Sequence, residues 1–406
     1  MGTGIDSSPC MEMLRRMTAA PYFFDERPPV CSPVEGHARP LGVLPGGDLE
    51  RRLADAERLT VANHHDAALE LLDELWPETH SFPVLACRHL LAGAWARMYR
   101  GRLEEAAVLL EHADAIVQSP LFDAADRAEV LFRRGCVTLK RGEVADATAL
   151  FTRALETNAR SARPSPLLAA HVLDWRSRCH QLRRDWDAAG RDAEASLELA
   201  ESVCDDRARA NALFQWSLIA ERQRQWLLAR CYAEQALELY IEQNDTLSRA
   251  RILNNLGGLQ FLLGDVAGAE RALVEAAATA TEAGSDADVA QATSSLAQVM
   301  LRTDRPREAR SCALNAIDLL AGRDDFRDEL GNAELVVAQS FTAEHQTSSA
   351  TAWLDRAEHT FDGPASSSQL AAVWMARGDL AGANGDHTSA AELYRRAAEA
   401  LQDFHF

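Results

Sequence analysis

Carboxamide and guanidinium side chains recur in this chain at a spacing that would set them in rows. Asn211, Gln215, Leu218 and Arg222 fall at i, i+4, i+7 and i+11, which is one face of an α-helix. Arg251, Asn255, Gly258 and Leu262 repeat that spacing forty residues on, with Asn254 alongside. Gln291, Ser295, Gln298 and Arg302 repeat it again. If the three helices lie side by side, two ladders form: Asn211–Arg251–Gln291 and Gln215–Asn255–Ser295. A carboxamide offers a donor and an acceptor together, so such a ladder can hold the backbone of an extended peptide. Asn is a poor helix former, so Asn254-Asn255 in mid-helix needs a reason of this kind. Trp175, accompanied by Asp174 and Arg178, adds a mixed aromatic and charged cluster suited to receive a side chain. The same polar stripe is also what the wet side of an amphipathic helix presents. The other Trp residues on the helices, among them Trp95, Trp216 and Trp353, read as packing.

Catalytic groupings are sparse. The chain has no P-loop, no G-x-G-x-x-G after a strand, no HExxH and no G-x-S-x-G. His80, Cys87 and His89 lack a fourth metal ligand and a regular spacing. Cys179 and His180 are neighbours on a helix, so their side chains point about 100° apart and do not form a nucleophile–base pair. Asp324-Asp325-Phe326-Arg327-Asp328-Glu329 lacks the Gly and the alternation of a calcium loop and reads as a capped helix start. The expectation is a protein that is not an enzyme and carries no cofactor and no metal.

Composition narrows the partners. Of 406 residues, 42 are Lys or Arg against 61 Asp or Glu, for a net charge of −19. That balance argues against nucleic acid and anionic membrane, which both demand cationic surface. All the basic residues but Lys140 are Arg, which suits a GC-rich genome. Eight Cys stand scattered with no CxxC pair, as expected of reduced thiols in the cytoplasm. No run of 18 apolar residues suggests a membrane span, and the first twenty residues have no apolar signal core.

The elements that must position these residues are helical. Seven of the 14 Pro fall within the first 47 positions, so residues 1–47 read as a Pro-rich arm, extended or partly disordered. From residue 48 the apolar period becomes three to four, with tight turns at Asn63, Gly101, Gly142, Arg184, Arg224, Gly264, Asp304, His345 and Gly385. These turns are 38 to 42 residues apart. Nine copies at a constant period mean a solenoid, because each copy is too short to bury a face alone. Breakers and capping residues such as Pro164-Ser165-Pro166, Asn244-Asp245-Thr246 and Gly284-Ser285-Asp286 separate the copies.

The small residues Gly257, Gly264, Ala269 and Ala276 carry a family resemblance. Their placement resembles the tetratricopeptide repeat, in which small residues sit where helices A and B of each repeat cross. The period near 40 resembles the repeats of kinesin light chain and of the Rap-type bacterial peptide-sensing regulators. The resemblance covers roughly residues 49–404 and implies that residues 48–406 have an all-α fold, a right-handed α-solenoid of about nine helix-turn-helix repeats. It also implies that A helices line a concave groove, and that Asn255 resembles the Asn that holds a peptide in those families. Cochaperone repeats grip a carboxylate with Lys and Arg at fixed groove positions, and the lone Lys140 argues against that variant. Residues 1–48 are too short and too rich in Pro for the helix-turn-helix DNA-binding domain of related transcription factors, so no direct nucleic-acid contact is expected.

The sequence therefore points to a cytoplasmic adaptor that binds a protein or peptide through Asn211, Gln215, Arg222, Arg251, Asn254, Asn255, Gln291, Ser295, Gln298, Trp175 and Arg178. Two alternatives stand beside it: a scaffold working through its convex face and ends, and a helical enzyme or enzyme subunit with its site in the concave cavity. Tyr22-Phe23-Phe24-Asp25-Glu26 offers the arm as a self-ligand, and Phe404-His405-Phe406 offers the C-terminal end as a homo-oligomer contact.

Overall fold

The computed structural model describes residues 47–321, 326–361 and 367–402. The expectations for the arm, for Asp324-Asp325 and for Phe404–Phe406 lie outside them. Among the described residues run eighteen α-helices and no strand. The first helices of successive hairpins are α1 (Gly47–Val61), α3 (Pro83–Tyr99), α5 (Ala124–Lys140), α7 (Pro166–Leu182), α9 (Asp206–Arg222), α11 (Thr246–Leu262), α13 (Asp286–Arg302), α15 (Arg327–Ala343) and α17 (Ser367–Ala383). Their partners are α2 (His65–Thr79), α4 (Leu103–Val117), α6 (Val144–Ala159), α8 (Trp186–Ser202), α10 (Trp226–Glu242), α12 (Val266–Glu282), α14 (Pro306–Leu320), α16 (Thr347–Thr360) and α18 (His387–Gln402). Each helix packs on the one before and the one after, and the first helices of neighbouring hairpins also meet, as α7 with α9 and α13 with α15. The array is an all-α solenoid of nine repeats.

The turns explain where the helices stop. All nine expected turn residues have positive φ, from 58° at Arg184 and His345 to 88° at Gly264. A left-handed residue ends a helix by turning its next amides back onto the last carbonyls. At Gly264 the amide bonds Phe261 O at 3.0 Å, and the following Asp265 amide bonds Gln260 O at 2.9 Å. Asp265 then caps the next helix, its carboxylate accepting from Gly268 N at 2.8 Å. The same left-handed residue and cap recur between repeats at Cys204-Asp205, Asn244-Asp245 and Gly284-Ser285.

Packing inside each hairpin follows one size rule. Seven residues before the turn, the first helix carries a small residue; nine after it, the second helix fills the space. Gly135 faces Phe151, Gly257 faces Leu273 and Gly378 faces Tyr394 so closely that an added Cβ would lie 2.5–2.6 Å from the partner side chain. Ala94 stands at the same position opposite Leu110, and Ala338 opposite Leu354, all fully or nearly fully buried. Where the first residue is Ser, at Ser177 and Ser217, the partner shrinks to Ala193 and Ala233. The first position is small in every one of these pairs while the second ranges from Ala to Tyr, so what is fixed is room for the second helix at the crossing.

The stack curls far enough to touch itself. The Arg207 guanidinium at the start of α9 donates to Val61 O at 2.6 Å and pairs with Asp245 at 2.8 Å. Asn63 Nδ2 reaches the same Asp245 carboxylate at 3.3 Å. The turn of the first repeat is thereby tied to the fifth and sixth, and the concave face between them becomes the inside of a ring.

Candidate functional site

The ring encloses a cavity of about 1240 Å³, above the range of about 300–1,000 Å³ usual for small-molecule sites. A neighbouring cavity of about 720 Å³ opens beside it, and Asn63, Tyr99, Lys140 and Arg251 line both. The lining of the larger cavity shifts steadily along the helices. It takes the last turns of α3 and α5 (Trp95, Tyr99, Arg133, Lys140), the length of α7 and α9, and the first turns of α11 (Ser248, Arg251). A groove tilted across parallel helices must do this, because each repeat is rotated against the last.

One wall is aromatic. Trp175 is buried and sets its ring 6.0 Å from Trp95 and 6.5 Å from Phe132. Arg133 lies over Trp95 at 4.1 Å and Arg178 over Trp175 at 4.8 Å. Stacked in this way, each guanidinium covers an apolar ring with its plane and turns its donors to the edge, where Arg133 Nε donates to Glu129 at 2.7 Å. His171 stacks on Phe132, and burial holds its imidazole below the usual range, so it stays neutral near pH 7.

The other wall is polar and cationic. Gln215 is buried, and its amide oxygen accepts from Gln181 at 2.9 Å or, turned over, from Arg178 at 3.0 and 3.2 Å. Asn211 accepts from the Tyr240 hydroxyl at 2.8 Å. Arg251 makes a two-pronged pair with Asp288 at 2.8 and 3.1 Å, and Arg178 pairs with buried Asp174 at 3.0 Å. Seven cations line the larger cavity: Arg133, Lys140, Arg178, Arg184, Arg207, Arg222 and Arg251. Among the described residues Asp245 is the carboxylate that lines it with them. Lys140 reaches the solvent of the lumen, yet the enclosing walls draw its pKa down, with Arg251 and Arg178 adding to the effect.

The expected site residues divide. The cavities take in Asn211, Gln215, Arg222, Arg251, Trp175 and Arg178, and Gln291 lines the smaller one. Asn254, Asn255, Ser295 and Gln298 line neither. Asn255 is tied to α9 instead: its oxygen accepts from Ser217 Oγ and its nitrogen donates to Glu221, both at 2.9 Å. The expected ladder is interrupted there because an amide on this stripe meets the preceding repeat before it meets a ligand.

Tyr99, Arg133, Lys140 and His171 were missed by the sequence reading. All four sit on the same stripe, counted back from the turns at Gly101, Gly142 and Arg184, so extending the spacing upstream of Asn211 finds them. Lys140 carried a second signal, being the single Lys of the chain.

The three residues weighed as a metal site have other partners. His89 Nδ1 lies 3.1 Å from Thr79 Oγ1, His80 Nδ1 lies 3.0 Å from Trp76 O, and Cys87 is buried with its thiol pKa pushed up to about 12. Among the described residues no helix is long and apolar enough to cross a membrane.

Comparison with known proteins fixes the architecture. The family of soluble NSF attachment proteins (SNAP) matches residues 261–404, from the end of α11 onward. No protein of curated function matches the sequence. A Rap protein in complex with competence and sporulation factor matches with a TM-score of 0.65 at 17% identity, over 89% of this chain and 99% of that one. The apo form of the quorum sensor NprR from B. thuringiensis gives 0.60 at 13%, over 87% and 99%. NprR in complex with its cognate peptide NprX gives 0.58 at 12%, over 89% and 100%.

The array shares their fold.

Proposed function

We propose that this chain is a bacterial, cytoplasmic signalling adaptor that binds an extended peptide inside its ring and passes that occupancy to a partner protein without chemistry of its own. The lumen carries this reading. It is large and closed by contacts between distant repeats, with one stacked aromatic wall and one of amides and guanidinium groups. Such a surface suits a ligand with a hydrogen-bonding backbone and varied side chains. The fold is shared with proteins whose structures hold competence and sporulation factor and the peptide NprX. Asn211, Gln215, Arg222, Arg251, Gln291, Trp175 and Arg178 form the contact set. Asn254, Asn255, Ser295 and Gln298 continue the stripe where a longer peptide would run.

The test is a melting curve of the full chain with a size-filtered peptide extract of its host. A ligand at a hundred times its Kd adds about 2.7 kcal/mol to stability, a shift that Arg178→Gln removes. An extract that leaves the wild-type melting temperature unmoved, with no peptide recovered from the protein, overturns the reading.

A further inference from the structure

The charge of the lumen opposes that of the molecule. The chain is strongly acidic, at −19, yet seven cations and Asp245 line the larger cavity. The smaller cavity is balanced, with Arg100, Lys140, Arg141 and Arg251 against Asp66, Asp286, Asp288 and Glu329. The excess is therefore confined to one chamber.

Within that chamber Lys140 from α5 lies close enough to Arg178 from α7 and Arg251 from α11 to feel their charge, and Lys140 and Arg251 stand where the two cavities meet. Each Arg already has a carboxylate, Asp174 for one and Asp288 for the other. Among the described residues Lys140 has none within ion-pair distance. Like charges gathered in a recess repel one another more strongly than on an open surface, since less water screens them. Glu329 and Asp288 offset part of that repulsion at Lys140, and what is left is relieved when an anion enters between the three helices. Arg178 and Arg251 also keep donors for a second acceptor, because a guanidinium has five.

We propose that the peptide bound in the lumen is acidic, its side-chain carboxylates seated between Lys140, Arg178 and Arg251. The assignment rests on the peptide-binding reading above and names the chemistry of its ligand.

An equimolar library of random hexapeptides with blocked ends, passed over the immobilised full-length protein, tests it. Blocking leaves side chains as the source of charge. Recovery of peptides enriched in Asp and Glu is expected. A recovered peptide should bind Lys140→Gln about tenfold more weakly, the loss of one charge-assisted hydrogen bond, and Lys140→Arg should restore it. Because Lys140→Gln removes one of the crowded charges, the empty variant should melt no lower than wild type, which separates weaker binding from unfolding. Recovery of neutral or basic peptides overturns the acidic class and leaves the peptide-binding reading standing. No enrichment of any peptide overturns both. Acidic peptides that bind wild type, Lys140→Gln and Arg178→Gln equally would show that the carboxylates sit elsewhere and sink the proposal.

Discussion

Gln215 and Asn255 occupy one position of the repeat, nine residues before their turns, and both commit their amides to the preceding hairpin. Gln215 reaches back to Gln181 and Asn255 to Glu221, each of which stands three residues before its own turn. Their surroundings differ. Beside Gln215 stands Arg178, whose guanidinium opens the staple onto the lumen; beside Asn255 stands Ser217, which closes it within the helix pair. An amide on the inner stripe is thus first a link between repeats. It faces a ligand where the tilted lumen crosses it and a neighbour carries a further donor.

The comparison sharpens when the two ends of the stripe are broken separately. The largest effect belongs to Trp175→Ala, which empties the aromatic wall and should cost about 3–5 kcal/mol in urea unfolding. Ser295→Ala, on the stripe beyond the cavities, should stay within about 0.5 kcal/mol.

Acid should separate the beginning of the array from its end. His65 and His89 are buried, and burial first, then Arg100 beside one and Arg97 beside the other, lowers their pKa from 6.5 to about 4. Above pH 6.5 both are neutral whether folded or not and contribute nothing. As pH falls below 6.5 the unfolded chain takes up protons that the folded one refuses, so stability drops until about pH 4 and then levels off. Each His accounts for up to ~3 kcal/mol. Hydrogen exchange should show α2 and α3 opening ahead of α15 and α16 over that interval; equal opening would show that these imidazoles protonate without unfolding.

Asn255→Ala should lower stability by ~1–2 kcal/mol, because it strands Ser217 and Glu221, with the affinity for a peptide held within the lumen unchanged. Gln215→Ala should weaken the peptide as well. Equal peptide losses at both positions would erase the distinction drawn between them. Apart from Ser295→Ala, the smallest effect expected is a gain: Arg224 holds a left-handed conformation at φ 61°, and Arg224→Gly should add ~0.5–1 kcal/mol without touching the ligand.

Much of this architecture was legible in the residues. Nine turns could be placed because Gly, Asn and Asp mark left-handed positions, and the period then located Arg184, Arg224 and His345, which do not advertise themselves. The stripe through Asn211 and Gln215 lines the larger cavity, since helical periodicity sets the face. Its extent was not legible. Where the lumen lies depends on the rotation between repeats, which moves the lining from the end of α5 to the start of α11. No local pattern encodes that angle. Net charge misled for a related reason: an average over the whole chain conceals a cationic chamber of a few side chains. Lys140 looked like a trait of composition until its place on the stripe was counted.

A solenoid is a chain of neighbours, each repeat feeling two others, and such a chain frays from its ends. The bonds from Arg207 and Asp245 to Val61 and Asn63 span 146 and 182 residues and join the first repeat to the middle. They turn a filament with a loose end into a clasp. Near neutral pH, where His65 and His89 are uncharged, the clasped repeats should melt as one cooperative block, leaving the last three as the end that frays.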